Sequence, residues 1–337
     1  MNKGKNTYKI IKSVFLSILF PFLMFWVMFI IVRFNNITYF GTSVDMWRTV
    51  LVNTATTSVA AVAIWLQLKN GRFDFSGGAT MLLSAILAGN LAQRMNNNPW
   101  IYLVLCLVFG VGFCLITGII YIFGRLPIII CTIGVALLYE SFTYLIFNSQ
   151  GLSIMSNASL TIFGKMPYIL FVLILALVIF IGYCNFTVPG KQAKILSNNQ
   201  QAGVNIGIKE EKNVLQTFIC CGLLLGLAGV IYGSQNTIAP QSGLSTANTL
   251  FSYIAPAYMG MFIGLAGNDA VGVVMASFGM EILNYGLNCI GLGAGGWQQI
   301  ILGCFMLSFY SLTAQFSKIG RLVGKLEKKY FKIELEN

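Results

Sequence analysis

Two carboxylates stand where charge is costly: Glu140 in "VALLYESFTYLIF" and Glu281 in "VVMASFGMEILNYGLN". Burying a charge in hydrocarbon costs at least ~2.5 kcal/mol, so each needs a compensating reason. One reason is chemistry, a proton or ion relay of the kind secondary transporters use. The other is structural, a carboxylate that pairs or hydrogen-bonds within a helix bundle, in some cases protonated. Neither run contains a Lys, Arg or His to pair with, which favours the structural role. Asn284 and Asn288 follow Glu281 at helical spacings of three and seven, so the three side chains share one face. That face must look into the protein or into a water-filled path.

The rest of the chemical inventory is sparse. The chain has no histidine, which removes the commonest general base and the commonest metal ligand together. Its eight cysteines (Cys106, Cys114, Cys131, Cys184, Cys220, Cys221, Cys289 and Cys304) lie in apolar runs or at their ends, and none forms a C-x-x-C pair. Packing is the expectation for all of them. The only fragment like a phosphate loop, "GRLVGK" in the tail, has the wrong spacing and no hydroxyl residue after its lysine. We therefore expect no catalytic residues, no metal and no cofactor. If ATP powers this protein, a separate subunit hydrolyses it.

The elements that position these residues are membrane helices. The composition is 57% hydrophobic and 9% charged, against about a quarter charged in a soluble domain. The apolar residues gather into ten runs, roughly 14–32, 48–67, 76–93, 100–123, 126–146, 167–184, 214–234, 249–266, 270–290 and 297–316. Each approaches the ~20 residues that a helix needs to cross the hydrocarbon core. The expected fold is an all-α integral membrane domain over 14–316, with a short N-terminal segment 1–13 and a basic tail 317–337. No secretory cleavage site follows the first run, and the tail is expected to lie solvated near anionic headgroups. With the N-terminus inside, only Arg33, Arg48, Arg94 and Lys165 of the 21 Lys and Arg fall outside. This asymmetry predicts a cell-membrane, multi-pass protein with both termini cytoplasmic. It also accounts for the net charge of +11 without nucleic-acid binding. Helices two to five then begin outside and seven to ten inside, giving two oppositely oriented blocks.

Three further features bear on packing and partners. Small residues recur at intervals of three and four in "GGAT", "GFCLITG", "GLLLGLAG" and "GMFIGLAG", which lets helices approach closely. Pro127, Pro240 and Pro256 lie at or inside apolar segments and predict broken or kinked helices. Finally, "GKQAKILSNNQQAGVNIGIKEEKN" (190–213) is a polar island with four lysines and two glutamates. Ser197 to Asn199 are good N-cap residues, "QQAGVN" makes one to two helical turns, and Gly207 suits a helix end.

Several of these stretches, in this order, resemble the permease subunits of ribose-type ABC importers. "NGRFDFSGGA" (70–79) is similar to the family's Gly-Ile-Asp-Leu-Ser-x-Gly signature, with Asp74, Ser76 and Gly77 or Gly78 in matching places. "GRLPIIICTIG" (124–134), with Thr132, resembles its Pro-x-Phe-Ile-x-Thr-Leu-Gly segment. The polar island aligns with its cytoplasmic loop through Gly190, Asn199, Gln201, Ala202, Gly207 and Ile208. "CGLLLGLAGVI", "LNYGLNCIG" and "WQQIILG" extend the resemblance, which covers about residues 50 to 315. The chain departs from the pattern at Gln201, in "GLAGNDAVG" with Asn268 and Asp269, and in "APQSGLSTANTL", which lacks the family's acidic residue. These departures bear on the cargo rather than the fold.

The resemblance implies a type II ABC-importer-like fold, two ATPase subunits on the cytoplasmic side and an extracellular substrate-binding protein. It implies a second permease chain, identical or different, and a simple sugar or sugar-like solute as cargo. It makes 190–213 a coupling loop, with a helix over 197–207 whose small face, Ala202 and Gly203, grips the ATPase. Asp74, Ser76, Gly77, Gly78, Thr132, Glu281, Asn284 and Asn288 become candidates for the translocation path or for helix packing. Two alternatives stand beside this one: a branched-chain amino-acid-type ABC permease, and a proton-coupled secondary transporter working through Glu281 and Glu140. The topology has a direct check. With the native cysteines replaced, single cysteines at 157 and 199 are expected to react with impermeant maleimide from opposite sides. Labelling of both from outside contradicts the ten-span scheme.

Overall fold

The computed structural model describes residues 2–264, 268–293, 296–308 and 311. In chain order the helices are α1 (Asn2–Phe34), α2 (Val44–Lys69), α3 (Ser76–Arg94), α4 (Pro99–Gly124), α5 (Ile128–Leu145) and α6 (Tyr168–Ile181). A π-helical turn, Gly182–Phe186, extends α6 and leads to α7 (Val188–Asn198) and α8 (Gln200–Asn205). Then follow α9 (Glu210–Gln235), α10 (Ser245–Gly264), α11 (Asp269–Cys289) and a helical stretch 296–308, here α12. The single β-like pairing among the described residues is the bridge between Leu152 and Ile238.

Every one of the ten apolar runs overlaps a helix. Among the described residues, seven helices are long and apolar enough to cross a membrane: α1 from Ser17, α2, α4, α5, α6 with its π turn, α9 and α11. Helices α3 and α10 mix Ser, Thr, Gly and Asn into their apolar sequence, and α3 is buried along most of its length. The remainder of the tenth run and the tail 317–337 lie outside the described residues. Two boundaries differ from expectation. Helix α1 runs on through residues 2–13, and α10 starts at Ser245, four residues before the apolar run.

Packing follows a two-fold pattern. Helix α4 lies on α9 as α11 lies on α2, and α3 lies on α9 as α10 lies on α2. The neighbours α3–α4 are matched by α10–α11, while α2–α9 and α3–α10 pair across the centre. Exchanging α2, α3 and α4 for α9, α10 and α11 therefore maps the contact pattern onto itself. Helices α2 and α9 run antiparallel: Thr56 bonds Gln235, and seven residues on Ala63 meets Cys221. The small-residue stretches supply the close approaches. A methyl on Gly110 would meet the Gly222 carbonyl at 2.5 Å, and one on Gly226 the Cys106 carbonyl at 2.7 Å. The opposite faces carry exposed Val104 and Val108 of α4 and Ile174 and Val178 of α6, as lipid contact requires.

Candidate functional site

Helices α3 and α10, which mix polar residues into their apolar sequence, begin inside the bundle. Helix α9 serves as a ruler, since its 26 residues measure about 39 Å. A methyl on Gly77, the second residue of α3, would lie 3.8 Å from Leu225, which is about 22 Å from the start of α9. The same methyl would lie 3.4 Å from Leu250 of α10, and one on Gly78 would stand 2.5 Å from the Thr246 carbonyl. The first turns of α3 and α10 thus meet more than halfway along α9. Only glycine at 78 permits that approach, because any side chain would strike backbone.

Each helix is reached by an irregular link, and each link solves the same problem. Backbone N–H and C=O groups inside an apolar bundle must be paired, or they cost several kcal/mol apiece. In the link 70–75, the Phe75 N–H donates to Thr132 Oγ1 of α5 at 3.1 Å. Asp74 Oδ1 accepts from the Ser76 N–H at 2.8 Å and the Ser76 hydroxyl at 2.6 Å, closing the first turn of α3. Arg72, nearer the start of α9, is buried, and that burial lowers its pKa while Tyr121, Glu210 and Tyr183 pull it back up. Asp74, Ser76, Gly77, Gly78 and Thr132 are thereby one cluster. The other Asp74 oxygen and the Gln67 amide have no protein partner, and both residues line a small cavity of about 10 Å³, room for about one water.

The second link, 236–244, contains Pro240 and depends on Glu140. This carboxylate is 1% exposed and sits on α5. Its Oε1 accepts from the Thr246 N–H at 2.8 Å and the Thr246 hydroxyl at 2.6 Å, and its Oε2 accepts from the Leu244 N–H at 2.8 Å. One turn further along α5, Thr143 Oγ1 accepts from the Gln241 N–H at 2.8 Å. At the far end, Leu152 and Ile238 exchange both backbone bonds, at 2.8 and 2.9 Å. Glu140 is thus an acidic cap for α10, placed where the helix dipole favours negative charge.

Glu281 is held differently. It is buried on α11, and its Oε1 accepts from the Thr57 hydroxyl of α2 at 2.6 Å. Asn284, one turn on, accepts from Gln298 at 3.3 Å. Asn288, at the end of the same face, is exposed. This row lies on the α2–α11 contact, apart from the α3–α10 junction. Thr246, Thr143 and Gln67 belong to the junction and were not among the expected residues. The only hint in the sequence was Pro240, amid small polar residues in "APQSGLST".

The polar island is more structured than a loop with one short helix. Helix α7 occupies 188–198, with the Thr187 side chain accepting from the Gly190 N–H at 3.2 Å. Asn199 then caps α8 by accepting from the Ala202 N–H at 3.0 Å, and Gly207 ends it at φ +91°. Ser197 lies within α7, so the cap is Asn199 alone. Gly190 packs against the Tyr183 carbonyl. Gln201 and Ala202 are exposed, whereas Gly203 is buried against Leu196 of α7 and Ile208 is buried beyond it. Ala202 and Gly203 therefore do not form one small face: Ala202 points outward and Gly203 seats α8 on α7. Val204 and Ile206 are exposed apolar residues too, and Ile206, four positions on, shares the side of Ala202.

Known proteins match this architecture at the level of sequence. A family model described as the permease component of the branched-chain amino acid transport system matches residues 46–309. The autoinducer 2 import system permease protein of Photorhabdus luminescens is 24% identical over 279 residues, 80% of each chain. The ribose import permease protein of Bacillus subtilis is 24% identical over 297 residues, 85% of this chain and 89% of its own. The fructose import permease protein of Rhizobium meliloti is 22% identical over 284 residues, 80% and 78% of the two chains. No solved structure matches significantly.

The two glutamates are expected to respond differently to amide substitution. In Glu281→Gln the amide oxygen still accepts from Thr57, so stability and transport stay near wild type. In Glu140→Gln one accepting oxygen becomes a donor facing a backbone N–H, and Glu140→Ala leaves three donors unpaired. At ~1–3 kcal/mol per unsatisfied buried group, Glu140→Ala loses on the order of 3 kcal/mol. Thermal midpoints in lipid nanodiscs check this. Equal effects of Glu281→Gln and Glu140→Gln would contradict the assignment.

Proposed function

The chain belongs to the family of transport-system permease components, and from that premise we propose that it is the membrane-spanning subunit of an ATP-driven importer for a simple sugar or sugar-like solute. The relatives named for ribose, autoinducer 2 and fructose import support that cargo class over branched-chain amino acids. The observation that carries the reading is the convergence of two interrupted segments, 70–75 and 236–244, at corresponding positions of the two blocks. Transporters place solute near the midplane where such half-helices begin. The path then runs beside the α3–α10 junction, with Asp74, Ser76, Gly77, Gly78 and Thr132 shaping it. Glu140 and Glu281 serve as fixed hydrogen-bond acceptors in this reading.

The full scheme has ten spans, both termini in the cytoplasm and a second permease chain, identical or different. An ATPase pair binds the cytoplasmic face, and an extracellular binding protein delivers solute. Helix α8 is the grip for the ATPase. It exposes Ala202 and Ile206 on one side and Val204 on another, apolar surface on a non-spanning element flanked in sequence by Lys191, Lys194, Lys209 and Lys212. A proton-coupled carrier is the competing class, and it needs a carboxylate free to load and release a proton. Glu140, with three donors on it, is poorly suited to that task.

The test replaces Ala202 with Arg. Because Ala202 is exposed, the longer side chain leaves the fold of the isolated chain intact. Placed in a packed contact it costs ~1–3 kcal/mol by overpacking alone, with the buried charge added. The expected result is normal membrane expression, at least tenfold weaker ATPase capture and lost ATP-driven uptake, with Lys191→Ala near wild type. Normal uptake by Ala202→Arg with its ATPase bound would reject α8 as the grip. Gradient-driven uptake by the wild-type chain in liposomes without ATPase would reject the importer altogether.

A further inference from the structure

A grip on α8 moves solute only if its displacement reaches the α3–α10 junction. The α7–α8 unit is joined to the bundle by one dense set of contacts. Asn213, in the first turn of α9, is fully buried, and its Nδ2 donates to the Pro189 carbonyl in the first turn of α7 at 2.8 Å. One turn on, Thr217 Oγ1 donates to the Asn213 carbonyl at 2.8 Å and lies 2.8 Å from the Tyr183 hydroxyl in the π-helical turn. The Tyr183 carbonyl in turn accepts from the Thr187 hydroxyl at 2.7 Å and abuts Gly190. The start of α7 is thus tied to α9 by the buried Asn213 amide at Pro189, and the π-helical turn before it by Tyr183 at Thr217. From Asn213, α9 runs uninterrupted to Leu225 beside Gly77, a rigid arm of about 18 Å.

We propose that Asn213 is the positioning residue that makes α7, α8 and α9 move as one body, so that a shift of α8 is delivered to the starts of α3 and α10. The proposal rests on the reading of the chain as an ATP-driven permease. It makes a claim that mere stabilisation does not: loss of the Asn213–Pro189 bond should lower uptake per ATP hydrolysed. Asn213 touches neither solute nor nucleotide, and Ala202 on the outer side of α8 is unaffected by its removal. The ATPase should therefore still bind and turn over.

The experiment uses the complete importer in liposomes, with its ATPase, its binding protein and radiolabelled ribose as the probe solute. If ribose is not taken up by wild type, autoinducer 2 and fructose follow. Uptake and ATP hydrolysis are read in the same vesicles for wild type, Asn213→Ala and Tyr183→Phe. The proposal expects ATPase capture and hydrolysis within twofold of wild type for Asn213→Ala, and uptake per ATP reduced at least fivefold. Tyr183→Phe, which removes one hydroxyl and keeps the ring, should shift the ratio the same way by less. If Asn213→Ala does not reach the membrane, Tyr183→Phe decides by the same ratio. Uptake and hydrolysis falling in parallel, or an unchanged ratio, overturns the proposal while leaving the importer intact. A wild-type complex that hydrolyses ATP with no uptake of any of these solutes overturns both.

Discussion

Irregular backbone inside an apolar bundle must find hydrogen-bond partners, and Glu140 supplies them. Two N–H groups and a hydroxyl around the start of α10 converge on its carboxylate. Without it the Leu244 and Thr246 N–H groups and the Thr246 hydroxyl would lose their acceptor beside a buried position, which is costly at the start of a helix. The apolar burial that makes a carboxylate expensive is also what makes its hydrogen bonds strong. One buried acid therefore sustains an interrupted segment, and the rest of the junction follows from it. Thr246 is fixed, its carbonyl lies against Gly78, and α3 can begin at the same depth.

The two-fold contact pattern gives the junction its meaning. Link 70–75 enters from one end of the bundle and link 236–244 from the other, each ahead of the second helix of its block. Each is held by a carboxylate and a Thr hydroxyl of α5, but the carboxylate is local to the link in one case, Asp74, and comes from α5 in the other, Glu140. Equivalent backbone shapes thus persist without side chains at equivalent positions, which explains why no internal repeat is visible in the residues. A junction built from half-helices can rearrange by small rigid shifts of its two halves, and α9 packs on α3, which meets α10.

Much of this was legible in the sequence, and the limits are physical. Each of the ten apolar runs overlaps a helix among the described residues, and seven of those helices are long and apolar enough to cross a membrane. Prolines 127 and 240 marked an actual helix start and an actual interruption. Glu140 and Glu281 stood out by cost alone, and the lack of charged partners in their runs pointed to the hydrogen bonds that hold them. What the sequence hid is depth and partnership. Ser245 to Asn248 look like loop residues, yet they open α10, since Glu140 lies more than a hundred residues away. Helix α7 was hidden because it is short and its buried apolar side chains, Ala193 and Leu196, are few. The pairing of Ala202 with Gly203 failed because adjacent residues on a helix point about 100° apart.

The central claim is that α3 and α10 both begin inside the bundle and meet there. Cysteines at 77 and 250, in a chain stripped of its own cysteines and carrying a protease site within 190–213, test it most directly. A methyl at Gly77 would already lie 3.4 Å from Leu250. Oxidation or mercury bridging should join the two halves so that they stay together after cleavage, and impermeant reagents should leave both positions unlabelled. Fragments that separate after oxidation, with position 250 labelled from the outer face, would contradict the account.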